Sequence, residues 1–328
     1  MKAALVEEFG GPEVLRLAEV ERPEPGEGEV LIELEAAGVN RADVLTRSGG
    51  YHAAGQPPLV PGLEGSGIVR EVGASVTGVS PGDRVLAFGG RPGFYARYVA
   101  VPERNTVRVP EGLGPDAAAT LPVAPLTAFY CLRRLARVES GETVLVWAAA
   151  SGVGDAAVQL AKAAGATVIA TAGSDEKVEW ALENGADHGI NHSRENVVER
   201  VMELTGEAGV EVVLDTVGGA RFGESLKAAG HGGRVVSLAN VALEGSTIDT
   251  RDFYPKNVAI YGFQVNNLIR RLGYDPRGDL AELANLVVGG GLKVHVDRTF
   301  ALGEATEAHR HLEGRLNRGK VVLRPQEG

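Results

Sequence analysis

The chain has 328 residues and a formal net charge of −10 at pH 7, with 44% hydrophobic and 23% charged residues. This length suits two domains of about 150 residues each, and no apolar run approaches the roughly 18 residues of a membrane span. The acidic balance argues against nucleic acid or an anionic membrane as the main partner. The one cysteine, Cys131, excludes an intramolecular disulfide and a multi-cysteine metal site. Because residues 1–8 lack an apolar signal segment, a cytoplasmic protein is expected.

Residues 1–118 have the pattern of a mostly β-structured domain. Apolar runs predict three strands, at 30–37, 67–73 and 83–88. Pro-Gly pairs predict turns around them, at 25–26, 61–62 and 81–82. Short strands with this spacing favour a partly open barrel.

From residue 119 to residue 262 the pattern changes to strands that alternate with helices. The predicted strands are 143–148, 166–171, 211–215, 233–238 and 257–262. The predicted helices are about 152–164, 175–184, 194–204 and 220–228. This alternation predicts an α/β fold with a doubly wound parallel sheet. The fifth strand is expected at an edge of the sheet, where edges of this kind often pair across a two-fold axis.

The turn before the first of these helices consists of small residues, Ala149-Ala-Ser-Gly-Val-Gly154. A helix that begins at such a turn offers unpaired N–H groups and a partial positive charge to a pyrophosphate. Ala149 and Ser151 replace two glycines of the strict Gly-x-Gly-x-x-Gly pattern, and a turn of small residues can also serve packing alone. The strand at 166–171 completes a βαβ unit, so the sequence favours a dinucleotide site.

The end of the second strand indicates which dinucleotide is bound. An NAD site usually has Asp or Glu roughly 20 residues after the glycine turn, and that position holds Gly173 here. Glycine leaves room for a 2′-phosphate, Ser174 can donate a hydrogen bond, and Lys177 supplies positive charge. Asp175 and Glu176 oppose this reading, unless they only begin the next helix, where acids are favoured. The pattern favours NADPH over NADH.

The last part of the chain mixes helices and strands again. Helices are predicted at about 278–289 and 303–316, and strands at 293–298 and 320–324. The final strand has no βαβ partner beyond it, so it is expected to return to the first domain. We therefore predict a catalytic domain formed by 1–118 and 263–328 and a dinucleotide-binding domain at 119–262, with the ligand in the cleft between them.

Motifs along nearly the whole chain resemble, in the same order, those of medium-chain dehydrogenases/reductases. They are Gly38-Val-Asn-Arg-Ala-Asp43, Arg47-Ser-Gly-Gly-Tyr51, Pro61-Gly-Leu-Glu-Gly-Ser-Gly-Ile-Val69, Gly82-Asp-Arg-Val85, Leu126-Thr-Ala128, Ala150-Ser-Gly-Val-Gly154, Val158-Gln-Leu-Ala-Lys162, Gly185-Ala-Asp187 and Asp215-Thr-Val-Gly-Gly219. Within that superfamily the chain resembles the zinc-free quinone oxidoreductases. The resemblance implies a Rossmann domain inserted into a GroES-like catalytic domain, a homodimer, and hydride transfer from NADPH to a quinone.

The positions that bind catalytic zinc in related alcohol dehydrogenases hold other residues here. By the resemblance, the cysteine position matches Asn40 and the histidine position matches Leu63, and neither side chain suits zinc. Glu64 alone does not make a site, and His309 and His311, two residues apart, would face different sides of a helix. No metal is expected. Catalysis would then depend on holding nicotinamide and acceptor face to face in a dry cleft.

The resemblance also implies a set of site residues. Near the reacting groups it implies Asn40 and Thr127, which also contact the nicotinamide. Tyr51, beside Gly49-Gly50, is a further candidate that either lines the pocket or donates a proton. The implied pyrophosphate contacts are Ser151, Gly152, Val153 and Gly154. The implied 2′-phosphate contacts are Gly173, Ser174 and Lys177, with His192 at the phosphate or the adenine. Around the ribose and the nicotinamide it implies Val217, Leu238, Asn240, Phe263, Val265 and Asn317.

Two other functions stay open on the sequence. Zinc-free relatives reduce the carbon–carbon double bond of enones, alkenals or enoyl thioesters, a reaction that needs an acid to protonate the α-carbon. Other proteins of this fold bind NADPH without catalysis. Turnover of enones in preference to quinones would indicate the first, and tight nucleotide binding without turnover would indicate the second. The prediction is a metal-free NADPH:quinone reductase.

Overall fold

A computed structural model describes residues 1–51, 55–89, 93–241 and 243–327. The chain divides into two compact units, which we name unit 1 (1–126 and the chain from 269 onward) and unit 2 (127–268). The predicted domain boundaries come eight and six residues before these borders, because helices α3 (Ala124–Tyr130) and α8 (Val265–Leu272) carry the chain across them. The roles assigned to the two domains stay predictions.

The elements of the first segment are β1 (Lys2–Val6), β2 (Leu15–Glu19), β3 (Glu29–Val39), α1 (Arg41–Ser48), β4 (Glu64–Val72), β5 (Arg84–Phe88), β6 (Tyr98–Pro102), β7 (Thr106–Arg108) and α2 (Pro115–Thr120). After α3 come β8 (Thr143–Val146), α4 (Gly152–Ala163), β9 (Thr167–Ala172), α5 (Asp175–Glu183), β10 (His188–Asn191), α6 (Val197–Thr205), β11 (Val210–Asp215), α7 (Arg221–Ala228), β12 (Ala229–Ser237) and β13 (Ala259–Gly262). After α8 come α9 (Arg277–Val288), β14 (Val296–Ala301), α10 (Ala305–Glu313) and β15 (Lys320–Arg324).

Unit 2 contains a six-stranded sheet in the order β10-β9-β8-β11-β12-β13. All neighbouring strands in it are parallel, which confirms the predicted doubly wound sheet. β13 lies at one edge, as expected for the fifth predicted strand. The other edge is β10, which was not predicted. Apolar side chains bury the faces of this sheet, among them Leu145, Trp147, Ile169, Val213 and Val235.

Unit 1 is built around the long strand β3. Its sheet has the order β14-β15-β3-β4-β5-β7, and β6 pairs with β3 as well. β15 runs antiparallel to β3, with Val322 opposite Gly38, so the last strand does return to the first domain as predicted. Because three strands pair with β3, nearly all of its residues are buried. The residue after its carboxyl end, Asn40, is the N-cap of α1.

No helix among the described residues is long and apolar enough to cross a membrane.

Candidate active site

The turn between β8 and α4 has the geometry of an anion site. Ala148 takes a left-handed backbone conformation with φ of 49°, and its carbonyl accepts from the Ser151 N–H at 2.8 Å. Ser151 caps the helix, since its Oγ accepts from the N–H of Gly154 at 3.1 Å. The N–H groups of Gly152 and Val153, the first two of α4, have no acceptor within the helix. They are available, with the helix dipole, to a negatively charged group.

Gly154 lets the helix approach the strand closely. A Cβ at this position would stand 2.3 Å from the carbonyl oxygen of Ala148 and 2.7 Å from Cα of Ala149. Both are backbone atoms that cannot rotate away. This is the close helix–strand packing for which dinucleotide turns keep their last glycine. The turn therefore fits the pyrophosphate of a dinucleotide, although serine stands where relatives usually have a glycine.

Replacing Ser151 by Ala tests this cap. The change removes the acceptor for the Gly154 N–H, so we expect the free energy of unfolding to fall by about 1 kcal/mol, whereas Ser151→Gly should cost only a few tenths. Urea unfolding of the two variants beside the wild type measures the difference. Equal stability of all three proteins would show that the cap contributes nothing.

The next two strand ends bring Gly173 and His192 together. A Cβ at Gly173 would lie 3.4 Å from Cε1 and 3.6 Å from Nε2 of the His192 ring, and the His192 N–H donates to the carbonyl of Ala172 at 3.0 Å. Ser174 caps α5, its Oγ accepting from the N–H of Lys177 at 3.4 Å. The predicted 2′-phosphate residues thus share one corner of the sheet.

Asp215 accepts hydrogen bonds from backbone groups at the two strand ends where the ribose contacts are predicted. Its Oδ1 accepts from the N–H of Val217 at 3.0 Å, and its backbone carbonyl accepts from the N–H of Leu238 at 3.1 Å. Asn240 closes the following turn by donating to the carbonyl of Glu244 at 2.7 Å. These residues lie at the carboxyl edge of the parallel sheet, where doubly wound folds bind their ligands.

Three more predicted residues of unit 2 are buried. Phe263 donates its N–H to the carbonyl of Ser237 at 2.9 Å and stacks its ring on Tyr130 at a centroid distance of 5.2 Å. Val265 begins α8, and Thr127 lies on α3. Their roles toward the nicotinamide stay predictions.

Unit 1 contains a buried cluster around Asn40, which we name the ammonium cluster: Asn40, Glu64 and Lys320. Lys320 Nζ donates to Oδ1 of Asn40 at 2.6 Å, to Oε1 of Glu64 at 2.9 Å and to the carbonyl of Val39 at 3.2 Å. Asn40 Nδ2 donates to the same Glu64 oxygen at 2.8 Å, and Glu64 Oε2 accepts from the N–H of Val123 at 2.7 Å. Burial raises the pKa of Glu64, and Lys320 opposes that rise.

A second buried chain of polar groups leads to the same asparagine. Burial lowers the pKa of His309 to about 3, so its ring is neutral and Nδ1 accepts from Nη1 of Arg47 at 3.3 Å. The remaining ring proton is then on Nε2, which donates to the Tyr95 hydroxyl at 3.1 Å. Tyr95 donates to Oδ2 of Asp43 at 3.2 Å, and that oxygen also accepts from the backbone N–H of Asn40 at 2.8 Å. Asp43 is fully buried, and burial raises its pKa to about 7.

Tyr51 and Asn317 are the other two predicted residues of unit 1. Tyr51 is half-buried just after α1, and its N–H donates to the carbonyl of Leu45 at 3.1 Å. Asn317 is buried and donates its amide to the carbonyl of Gly319 at 2.9 Å. Neither contact tests the roles implied for these residues.

The donor set at the positions of zinc ligands does not suit zinc. Leu63 is buried and apolar, the Asn40 amide bonds Lys320 and Glu64, and the Glu64 carboxylate is shared among Lys320, Asn40 and Val123. The Lys320 ammonium, 2.6 Å from Asn40 Oδ1 and 2.9 Å from Glu64 Oε1, would also repel a metal ion bound by these atoms. In the described part of the chain, no three His, Cys, Asp or Glu side chains are grouped to hold a metal ion.

The chain is similar to known dehydrogenases along nearly all of its length. Residues 26–111 match the alcohol dehydrogenase GroES-like domain, and residues 152–287 match the zinc-binding dehydrogenase domain. A quinone oxidoreductase of Pseudomonas aeruginosa is 35% identical over 325 residues, which cover 97% of each chain. A 2-haloacrylate reductase of a Burkholderia species is 34% identical and is covered to 99%. The crystal structure of Escherichia coli quinone oxidoreductase complexed with NADPH superposes with a TM-score of 0.91 at 32% identity, covering 99% of this chain and 100% of that one.

Proposed function

Because this chain belongs to the quinone oxidoreductases of the medium-chain dehydrogenase/reductase superfamily, we propose that it reduces a quinone with NADPH and without a metal. The ammonium cluster is the observation that carries the metal-free part of this proposal. Asn40 of the cluster and the buried Leu63 stand at the positions of two zinc ligands. The Glu64 carboxylate already accepts from Lys320, Asn40 and the N–H of Val123.

The residues around the β8–α4 turn fit NADPH. Gly152 and Val153 would bond the pyrophosphate through their N–H groups. Gly173, Ser174, Lys177 and His192 would surround the 2′-phosphate, with Val217, Leu238 and Asn240 at the ribose. Thr127, Phe263, Val265 and Asn317 would border the nicotinamide. When bound, NADPH supplies the hydride from nicotinamide C4.

The protein itself would contribute orientation and exclusion of water. A quinone is already a strong hydride acceptor, so the reaction does not require a Lewis acid, and one proton completes the reduced oxygen. Lys320 is not that donor, because its three N–H groups already bond Val39, Asn40 and Glu64. In the proposal, Asn40 is a fixed wall of the acceptor pocket, and Tyr51 or water gives the proton.

Nicotinamide oxidation with a small ortho-quinone tests the function. We expect loss of the reduced-nicotinamide absorbance to be faster with NADPH than with NADH and unchanged by a chelator. Activity that disappears with chelator and returns with zinc would contradict the metal-free reaction. Rapid turnover of enones with none of quinones would favour the alternative chemistry.

That alternative is reduction of a carbon–carbon double bond beside a carbonyl, and the likeness to a 2-haloacrylate reductase supports it. The same hydride would go to the β-carbon, and an acid would protonate the α-carbon. Tyr51 is the candidate acid. Comparing the rates of Tyr51→Phe on a quinone and on an enone separates the two, since only the enone reaction requires a positioned acid.

A homodimer in the cytoplasm completes the proposal. The edge strand β13 supports dimerisation, because Ile260 on it is 41% exposed and its outer backbone groups face no further strand of the described sheet. Elution as a monomer on a sizing column would contradict the dimer.

A further inference from the structure

The corner beside Gly173 is shared by two neighbouring strands. β10 pairs in parallel with β9 so that Asn191 lies opposite Ala172. The segment after β10 therefore runs along the segment after β9. Ser193 Oγ donates to the carbonyl of Gly173 at 3.0 Å, and the His192 ring borders the same glycine. Residues 192–194 thus form a wall of the position where a 2′-phosphate would lie.

A carboxylate at this corner would repel a phosphate if no cation or hydrogen-bond donor were paired with it. Asp175 follows Gly173 by two residues and is 59% exposed. A phosphate monoester carries a charge near −2 at neutral pH, so an unpaired carboxylate beside it would select against NADPH. The structure pairs this carboxylate on both oxygens. Oδ1 accepts from Nδ2 of the buried Asn191 at 2.5 Å, and Oδ2 accepts from Nη1 of Arg194.

We propose that Arg194 is a specificity-determining residue for NADPH, an inference that rests on the proposed use of that cofactor. It neutralises Asp175, which would otherwise repel the 2′-phosphate. Arg194 bonds Asp175 through Nη1, and a guanidinium has five N–H donors, so one edge can bond the carboxylate while others bond a phosphate. Arg194 after β10 would then be a second cation for the phosphate, beside Lys177 on α5.

The Asp175 pairing explains how this corner can contain acids and still accept a phosphate. Asn191 is held in turn by its Oδ1, which accepts from the Ser193 N–H at 3.0 Å, so the Asp175 carboxylate is anchored on a buried amide. Because the Asp175 carboxylate is anchored, its bond to Arg194 holds the guanidinium at this corner, even though the arginine side chain is 71% exposed.

Replacing Arg194 by Gln tests the inference by nucleotide binding in the absence of any acceptor. Titrations measure the Kd of NADPH, NADH, 2′,5′-ADP and 5′-AMP. The variant loses a charge-assisted hydrogen bond to the phosphate and the charge that neutralises Asp175. Both losses should raise the Kd of NADPH and 2′,5′-ADP, together roughly tenfold or more. The Kd of NADH and 5′-AMP should change less than about twofold. Arg200→Gln is the matched control, because Arg200 is an exposed arginine on α6 that pairs with Glu195 and Glu203.

Two results would overturn the inference about Arg194 without contradicting the proposed use of NADPH. In the first, Arg194→Gln binds both nucleotides as tightly as the wild type does. In the second, the affinities for NADPH and NADH fall by the same factor, as they would after a merely structural change. A wild type without any preference for NADPH would instead overturn the proposed cofactor itself. The same titrations therefore distinguish the two failures.

Discussion

Replacing Lys320 by Met should lower the free energy of unfolding by about 3–5 kcal/mol. The Lys320 ammonium is 2.9 Å from the Glu64 carboxylate, and the exposed fractions of the two side chains are 6% and 0%. Methionine keeps most of the volume of lysine but leaves the Glu64 charge buried without a cation. It also leaves Oδ1 of Asn40 without its 2.6 Å donor. Equilibrium unfolding in urea measures the loss.

The loss of stability in the Lys320→Met variant should increase as pH rises. Burial already raises the pKa of Glu64, and Lys320 is the largest influence that opposes this rise. Without Lys320 the folded-state pKa should rise further above the ordinary carboxyl value of about 4.3. The folded protein then binds the proton more tightly than the unfolded chain, so stability falls as pH rises from that value through the folded-state pKa. The variant should therefore be closest to the wild type at about pH 4.3, the acidic end of this range.

Two controls separate this prediction from a general effect of removing a lysine. Lys162→Met removes a surface partner of Asp187, with exposed fractions of 45% and 32%, and should cost less than about 1 kcal/mol. The double variant Lys320→Met with Glu64→Gln removes both buried charges and should recover most of the loss. If Lys320→Met cost no more than Lys162→Met, or cost the same at every pH, the ammonium cluster would not be a stabilising ion pair.

The ammonium cluster shows where prediction from the sequence ended. The parallel sheet of unit 2 was predictable because each of its strands but one is an apolar run bounded by a helix, and these patterns are local. Lys320 and Glu64, in contrast, are 256 residues apart, and Tyr95 and His309 are 214 apart. No local periodicity reports such contacts. One signal was available: an acid in the apolar, glycine-rich run at 61–69 must find a partner if that strand is buried.

Strand β10 was missed for a different reason. It has four residues, His188-Gly-Ile-Asn191, of which only the last two are buried, so it shows neither alternation nor a continuous apolar run. It forms because the edge of β9 accepts it in register, a tertiary effect. The omission matters for function, since β10 positions Arg194 at the corner where the sequence had singled out Gly173, Ser174, Lys177 and His192 but not this arginine.

Gly154→Ala should disable the dinucleotide turn, the feature of the sequence that first indicated a cofactor. Ordinary contact for a Cβ begins at 3.4 Å, and the new methyl group would stand 2.3 Å from the Ala148 carbonyl oxygen. The strand end and the helix start must therefore separate by about 1 Å, and overpacking of this kind costs roughly 1–3 kcal/mol. A displacement of about 1 Å in a positioning element can cost on the order of a hundredfold in rate. We expect kcat/KM with NADPH to fall by that factor and the Kd of NADPH to rise.

Gly278→Ala is the matched control for this change, because it makes the same substitution on α9 with no atom within 4 Å of the new Cβ. It should leave NADPH binding unchanged and stabilise the fold by up to about 1 kcal/mol, since alanine restricts the unfolded chain. Urea unfolding and NADPH titration of both variants give the comparison. Wild-type affinity in Gly154→Ala would mean that the close approach of α4 to β8 does not hold the pyrophosphate. Loss of affinity in Gly154→Ala alone would assign that role to the turn, because the two variants differ only in what the added methyl group meets.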